Sequence, residues 1–387
     1  MPASGVSVPI HATQNLVFVG GGHSHALVLR YWGQSPRPGV RLTLITDQPT
    51  TPYSGMLPGT VAGIYGPEEG QIDLVRLARF AGAALVVDAA VGLDLEARQV
   101  HCATHAPVPF DWLSLDIGSR PAALAVPGAA VYALPVKPVP SFLQAWQNLV
   151  NQVSAHPTQP LTLAIVGGGA GGVELALAIQ ARLQNLMRAP LALHLFQRQA
   201  HLVPSFNPRA QHRLRDILKQ RNIQIHLQET VVEVLPTGVR CASGLALTAD
   251  RVLWVTQASA PDWIAASGLA TDPQGFVAVA DTLQSLSHPQ VFAAGDIATQ
   301  MHHPRPKAGV FAVRHGRPLR ENLWRALAGR PLITYHPQKT YLSLLGTGTG
   351  DAVAVWGQFA WQSPLVWWWK DWIDRGFMAQ FQHLPVR

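Results

Sequence analysis

Cysteine is scarce in this chain: 387 residues carry only Cys102 and Cys241. The two lie far apart and form no C-x-x-C or metal-ligand spacing, which argues against a disulfide framework and a zinc site, so no metal centre is expected. Such usage suits a reducing compartment. Charge is also sparse, at 13% Asp, Glu, Lys and Arg against 48% hydrophobic residues. That composition excludes disorder and implies about two or three domains of roughly 150 residues. The net charge of +7 would suit an anionic partner, but no basic run interleaved with aromatics occurs. Nucleic acid is therefore not expected, and phosphates or anionic lipid explain the basic surface as well. No apolar stretch approaches the roughly 18 residues of a membrane span, and MPASGVSVPIHATQ lacks a basic region followed by an apolar core. The expectation is a cytoplasmic protein, with any membrane contact peripheral.

Glycine is plentiful, and two clusters of it organise the chain. Leu161 to Leu175 reads LTLAIVGGGAGGVEL: an apolar run of strand length, then Gly167, Gly169 and Gly172, then a helical pattern. This is G-x-G-x-x-G between strand and helix, the context a dinucleotide site requires. Gly167 gives the tight turn, Gly169 lets backbone approach a pyrophosphate, and Gly172 allows close helix–strand packing. The phosphates would sit on the N–H groups of the helix that starts there. Taken alone, the match also describes a glycine-rich turn without a ligand.

A second finger lowers the weight of that alternative. Asn15 to Leu29, NLVFVGGGHSHALVL, places Gly20 and Gly22 after a strand, with His25 in the place of the third glycine. That imidazole either holds the helix off the strand, satisfied by backbone, or turns toward the ligand, and the helix dipole disfavours its protonated form. The next strand, Val40 to Ile45, ends at Thr46 and Asp47, where an acidic side chain would hold a ribose hydroxyl. PYSGMLPG, Pro52 to Gly59 and including Gly55, is a constrained loop at the carboxyl end of that sheet. A helix from Asp73 to Phe80, short strands from Ala84 to Leu115 and a Pro-rich linker over 121–140 follow, and then a helix from Ser141 to Val153.

Past the central finger, Leu191 to Phe196 ends at Gln197 and Arg198. No carboxylate stands there to bind the 2′-hydroxyl of NAD, whereas Arg198 could pair with a 2′-phosphate, a modest tilt toward NADPH. Glu174 is expected in the first helical turn, favoured by the dipole or facing the nicotinamide. VFAAGDIA, Val291 to Ala298, is a buried strand ending in Gly295-Asp296 at a helix start, the form in which an acidic side chain meets a chain of hydroxyls beside a pyrophosphate. Its position implies that the first nucleotide domain is discontinuous. Lys307, in RPKAGVFAVRHG ahead of a helix over Leu319 to Leu327, would stabilise an anionic reduced flavin.

The two fingers, the Gly295-Asp296 segment, the PYSGMLPG loop and the tail WWWKDWIDRGFM together resemble the two-dinucleotide-binding-domain flavoproteins. Within them the chain is similar to type II NAD(P)H dehydrogenases and sulfide:quinone oxidoreductases, and most to a branch also found fused to selenophosphate synthase. The resemblance covers nearly the whole chain. It implies an α/β architecture with FAD held by residues 14–125 and 276–335, NAD(P)H by an inserted 126–275, and a C-terminal segment, 336–387, closing over the flavin. It further implies FAD on Gly20, Gly22, Asp47 and Asp296, and the nicotinamide nucleotide on Gly167, Gly169, Gly172 and Glu174. The chain departs from the pattern at His25, at Gln257 in VTQASAP, and at Val310 and Arg314, where such dehydrogenases place quinone-adjacent glutamines.

Disulfide reductases need paired cysteines beside the flavin, and sulfide oxidation needs cysteines that carry sulfur; PYSGMLPGTVAG has none. Both cysteines are expected in strands as buried structural residues. What remains is hydride transfer from nicotinamide to flavin, then electrons to a quinone or another small acceptor. Leu365, Trp369, Trp372, Ile373, Phe377 and Phe381 fall on one face of a C-terminal helix, with Lys370, Asp371 and Asp374 mostly off it. Over 365–381 such a helix could lie in a membrane interface or pack on the FAD domain. Two function classes stay open: an NAD(P)H:quinone oxidoreductase, and a flavin-binding redox sensor or partner module of selenium metabolism with little turnover. Oligomeric state is not legible.

Overall fold

The computed structural model describes residues 13–121, 126–256 and 258–385. The N-terminal stretch and Gln257 lie outside the described residues. Two five-stranded parallel sheets form the frame, and each puts its glycine-finger strand third. In the first sheet the order is Val291–Ala293, Trp112–Leu115, Gln14–Val19, Val40–Thr46, Ala84–Val87. In the second it is Ala133–Pro135, Arg251–Trp254, Leu161–Val166, Leu191–Gln197, Ile223–Leu227. Strands covered on both faces read as near-continuous apolar runs, and Leu16, Val17, Phe18 and Val19 are all buried. The strand order reverses beside each finger, the point where ligands of open α/β sheets bind.

Each sheet carries a three-stranded antiparallel meander, over residues 90–109 and 231–248. The segment expected as a plain linker holds Ala133–Pro135, which pairs with Val252–Trp254 and so completes the second sheet. Proline is tolerated there because the strand is an edge. The helix that follows runs Val139–Ala155, its proline in the first turn, where the missing N–H costs nothing. The long helix near Lys307 starts at Gly309, well before Leu319, and carries Pro318 inside it. Arg120–Pro121 and Ala258–Ser259 pair as the chain crosses out and back, and Ile264 and Leu269 already pack in the first core. The return therefore comes ahead of residue 275.

A C-terminal antiparallel sheet, Ser343–Gly346, Ala352–Trp356 and Phe359–Ser363, leads into the helix Pro364–Gln382. Leu345, Val353 and Val355 join the second core, while Phe377, Met378 and Phe381 join the first. This segment thus straps both units. Its helix does not bury the expected face. Phe377 and Phe381 are inside, but Trp372 is 71% exposed and Leu365 68%, whereas Lys370 and Asp374 are buried with Val366. Hydrophobicity marked the stripe, but ion pairing decided what lies beneath. Among the described residues, no helix is long and apolar enough to cross a membrane.

Candidate functional site

Gly20 and Gly167 are the same device used twice. Both have positive φ, +91° and +124°, and a Cβ on either would run into the backbone at the end of the neighbouring strand, at Asp116–Ile117 or Val255–Thr256. Only glycine fits such a turn. Gly172 presses on the carbonyl of Gly167, as close helix–strand packing requires, while a Cβ at Gly169 or Gly171 would meet nothing. The helix Ala170–Gln184 therefore presents its N-terminus to open space.

The first finger is filled from below. At Gly22 a Cβ would strike the carboxylate of Asp116, which accepts the His25 N–H at 2.9 Å, while the Asp116 carbonyl accepts the Gly22 N–H at 3.1 Å. Burial pushes this carboxyl up to about 7, against the N–H groups that favour its charged form. His25 is fully buried and stacked on Phe18, ring centroids 4.4 Å apart. Its Nδ1 lies 2.7 Å from the Gly20 carbonyl and its Nε2 2.8 Å from Ser114 Oγ. A carbonyl only accepts, so Nδ1 carries the proton and Nε2 accepts from the serine. Both ring nitrogens are thus used by the protein, the first of the two arrangements the sequence left open, and burial lowers the pKa to about 4. His23, at the helix start, has its Nε2 buried with no hydrogen-bond partner.

Gly295 closes the first site from the far side. Its N–H donates to His315 Nδ1 at 3.1 Å, and a Cβ on it would meet Asp116. Asp296 Oδ2 accepts from Lys137 Nζ at 2.8 Å and Ser119 Oγ at 3.1 Å. Burial works to raise the Asp296 pKa, but the Lys137 charge and these bonds outweigh it and hold the group below the ordinary value. Lys307 donates to the Ala298 carbonyl at 2.7 Å and to Thr299 Oγ1 at 2.8 Å, and its Nζ sits 3.9 Å from the centroid of Phe276. Burial lowers it to about 8. Asp47 and Arg198 are exposed just past the ends of their strands.

Glu174 lies one residue beyond the first turn of its helix, so the dipole is not its partner. Its Oε1 accepts from the Gly346 N–H at 2.7 Å. Burial raises it to about 7, opposed by Lys370. Lys370 also donates to the Gly55 carbonyl at 2.7 Å and to Asp374 at 2.7 Å. The loop after the second strand, the second finger's helix and the C-terminal helix thus meet on one ammonium. The sequence reading did not single out Asp116 or Lys137. His315 and Lys370 stand in segments quoted there, RPKAGVFAVRHG and WWWKDWIDRGFM, but their bonds to Gly295 and Gly55 arise only in the folded chain. Cys241 is buried and Cys102 half-buried, neither bonded to the other.

The sequence profile of the pyridine nucleotide-disulphide oxidoreductase family matches residues 14–316. The chain is 26% identical over 296 residues to an NADH dehydrogenase-like protein of Mycobacterium tuberculosis, covering 74% of this chain and 72% of that one. It is 26% identical over 257 residues to the demethylphylloquinone reductase of Synechocystis, covering 63% and 60%. Its fold is similar to that of the sulfide:quinone oxidoreductase of Aquifex aeolicus, with a TM-score of 0.79, 17% identity, and 95% and 91% of the two chains covered.

Proposed function

Because this chain belongs to the pyridine nucleotide-disulphide oxidoreductase family, whose membership implies FAD and a pyridine nucleotide, we propose that it is a dehydrogenase passing electrons from NAD(P)H through FAD to a quinone, without a redox-active disulfide. The observation that carries this reading is the pair of like-built glycine turns with, between them, the cysteine-free Tyr53–Met56 loop, which Lys370 and the C-terminal helix hold in place and which runs into the helix Leu57–Ala62 where the sequence had suggested loop as far as Gly59. The names of its relatives, an NADH dehydrogenase-like protein and a quinone reductase, support it.

The residues fit both groups. The orphaned His23 Nε2 at the first helix start needs a polar partner, and the open face at Gly169 and Gly171 admits phosphates. Gly20, Gly22 and Gly295 would cradle FAD, Asp47 would take a ribose hydroxyl, and Asp296 with Lys137 would meet the polar chain between ring and phosphates. Gly167, Gly169 and Gly172 would hold the nicotinamide nucleotide, with Arg198 at its 2′-position favouring NADPH. FAD supplies the hydride-accepting, electron-releasing chemistry. Lys307 would supply the positive charge that favours an anionic reduced flavin. Lys370 positions the Gly55 loop and the protonatable Glu174 against each other.

The acceptor would come from a membrane. Trp368 and Trp372 are 76% and 71% exposed on the C-terminal helix, and Phe359 71% at the tip of the hairpin beside it. Aromatics of this kind seat at a lipid interface, where a lipid-soluble quinone is available.

Anaerobic stopped-flow of FAD-loaded protein with NADH and NADPH separately, then with a short-chain quinone, tests the reading. Fast bleaching and fast reoxidation are expected. A flavin that neither nucleotide reduces overturns it.

A further inference from the structure

The strands Val277–Val279 and Ala298–Gln300 pair in parallel, with Val279 opposite Gln300. Their following loops therefore leave side by side, and Asp281 comes to lie next to His302 and His303. A third loop is pinned onto the same place. The Tyr335 N–H donates to the Asp281 carbonyl at 2.8 Å, and the Tyr335 carbonyl accepts from Gln300 Nε2 at 2.9 Å. That delivers His336 to the cluster. Arg305 repeats the brace, donating to the carbonyls of Pro337 and Gln338.

We propose that Asp281, His303 and His336 are a binding site for a divalent first-row transition ion of zinc's type, with His302 as a further donor. Asp281 Oδ2 lies 3.6 Å from His303 Nε2, 3.8 Å from His336 Nδ1 and 3.8 Å from His302 Nδ1. The ligand atoms of Asp281, His303 and His336 all fall within 4.8 Å of one another. These separations are too long for hydrogen bonds. A tetrahedral zinc with bonds of about 2.0–2.1 Å spaces its ligands roughly 3.3–3.4 Å apart, so modest turns of exposed imidazoles close the set. Nitrogen and carboxylate donors without thiolate suit zinc and its neighbours better than calcium or magnesium.

The other carboxylate oxygen gives a second, independent indication. Asp281 Oδ1 is buried and has no hydrogen-bond partner. A largely buried carboxylate whose inner oxygen has no partner and whose outer oxygen faces three imidazoles without a hydrogen bond is costly as it stands, and a bound cation relieves it. The competing arrangement, imidazolium ions paired with Asp281, needs protonated histidines and holds no metal.

The site has a mechanical consequence. His303 lines the same small cavity as Asp296 and Lys307. An ion held by Asp281, His303 and His336 ties the segment between the second of these residues and Lys307 to two other loops. It is a structural clamp at the edge of the first nucleotide site.

The test uses the full chain without a polyhistidine tag, stripped with chelator. Titration with Co2+ is expected to give one equivalent of visible bands of tetrahedral intensity, displaced by Zn2+. Zn2+ is expected to raise the melting temperature of the wild type. H336Q and H303Q should each weaken binding by about tenfold or more and lose that thermal shift. H212Q, on an exposed helix face, should change neither. His336 is exposed, so metal-free H336Q should melt with the metal-free wild type. No stoichiometric binding, or an affinity untouched by H336Q and H303Q, overturns the proposal.

Discussion

Lys370 and Asp374 form an ion pair with Nζ 2.7 Å from Oδ2, both side chains less than a tenth exposed, on a helix whose Trp368 and Trp372 face outward. Removing one partner strands the other charge in a site water cannot reach. K370M is expected to destabilise the protein by about 3–5 kcal/mol. The double variant K370M/D374L should recover only part of that loss: the apolar pair costs no desolvation, but the Gly55 carbonyl and the buried Glu174 still lose their partner. Urea midpoints of wild type, single and double variants decide it; a single variant within error of wild type removes the pair from the fold's support.

Two glycines of the second finger make opposite predictions for alanine. A Cβ at Gly172 meets backbone that cannot move aside, so G172A should lower the melting temperature and abolish nicotinamide-dependent reduction together. Gly169 has an ordinary φ of −74° and open space around its Cβ position. G169A should therefore fold as the wild type does and lose only nucleotide affinity, read as a raised KM. Equal melting temperatures and equal KM values for G169A and wild type would mean that no phosphate approaches there.

These glycines were legible because their requirement is local: turn, positive φ and close approach are written in spacing. The same holds for the strands beside them, whose apolar runs reflect burial on both faces. The C-terminal helix shows where such reading stops. Its period marked an amphipathic element, but Lys370 goes inside because Gly55 and Glu174, far away in sequence, supply its partners, and Asp374 goes with it as its ion pair. Ala133–Pro135 was hidden for a related reason, since an edge strand of three residues with a proline carries almost no pattern. The Asp281 cluster was invisible, as its members share no spacing and meet only through strand pairing and the hydrogen bonds that pin the Tyr335 loop beside it.

Acid should weaken the fold by forcing charge onto buried histidines. His23, His25 and His315 are each held near 4, chiefly by burial, from an ordinary 6.5. Between those values the unfolded chain binds protons the folded chain refuses, so stability complete above about pH 6.5 is lost as pH falls toward 4. Asp116 and Glu174 work the other way: each is raised to about 7, takes its proton early in the folded state and so gains stability as pH falls. Three groups against two nearly offset between pH 7 and about 5, and the histidines prevail below that, so the urea midpoint should stay nearly level to about pH 5 and drop between about 5 and 4. A midpoint that rises from about pH 5 to 4 would mean these histidines are not buried neutral.

Lys307 titrates where kinetics can read it. With burial lowering it to about 8, its charge is present below that pH and fades above it. Reduction of bound FAD by nicotinamide should slow as pH rises through about 8, and K307M should be slow throughout and insensitive to pH there. A profile identical to that of wild type in K307M would place the titrating group elsewhere.

Arg198 and the exposed tryptophans set donor and location. R198A should lower kcat/KM for NADPH by about tenfold and leave that for NADH nearly unchanged, the pattern of a lost phosphate contact. W368S/W372S should release the protein from anionic vesicles while leaving reduction by nicotinamide intact. Equal losses with both nucleotides, or vesicle binding unaltered by the double variant, would remove these residues from those roles.

The strand Val291–Ala293 lies against Leu113–Leu115, yet the whole second sheet is threaded between them in the chain. During synthesis Trp112–Leu115 therefore stands as an open edge, with unpaired N–H and C=O groups, until the ribosome has delivered the entire inserted unit. Pairings of such sequence separation carry a large closure cost and come late. The inserted unit can complete its own sheet first, so the order of maturation is inverted: the half that begins the chain is the last to finish. A nascent chain stopped short of Val291 should hold a protease-resistant second unit and a labile first one, and be most exposed to aggregation through that waiting edge.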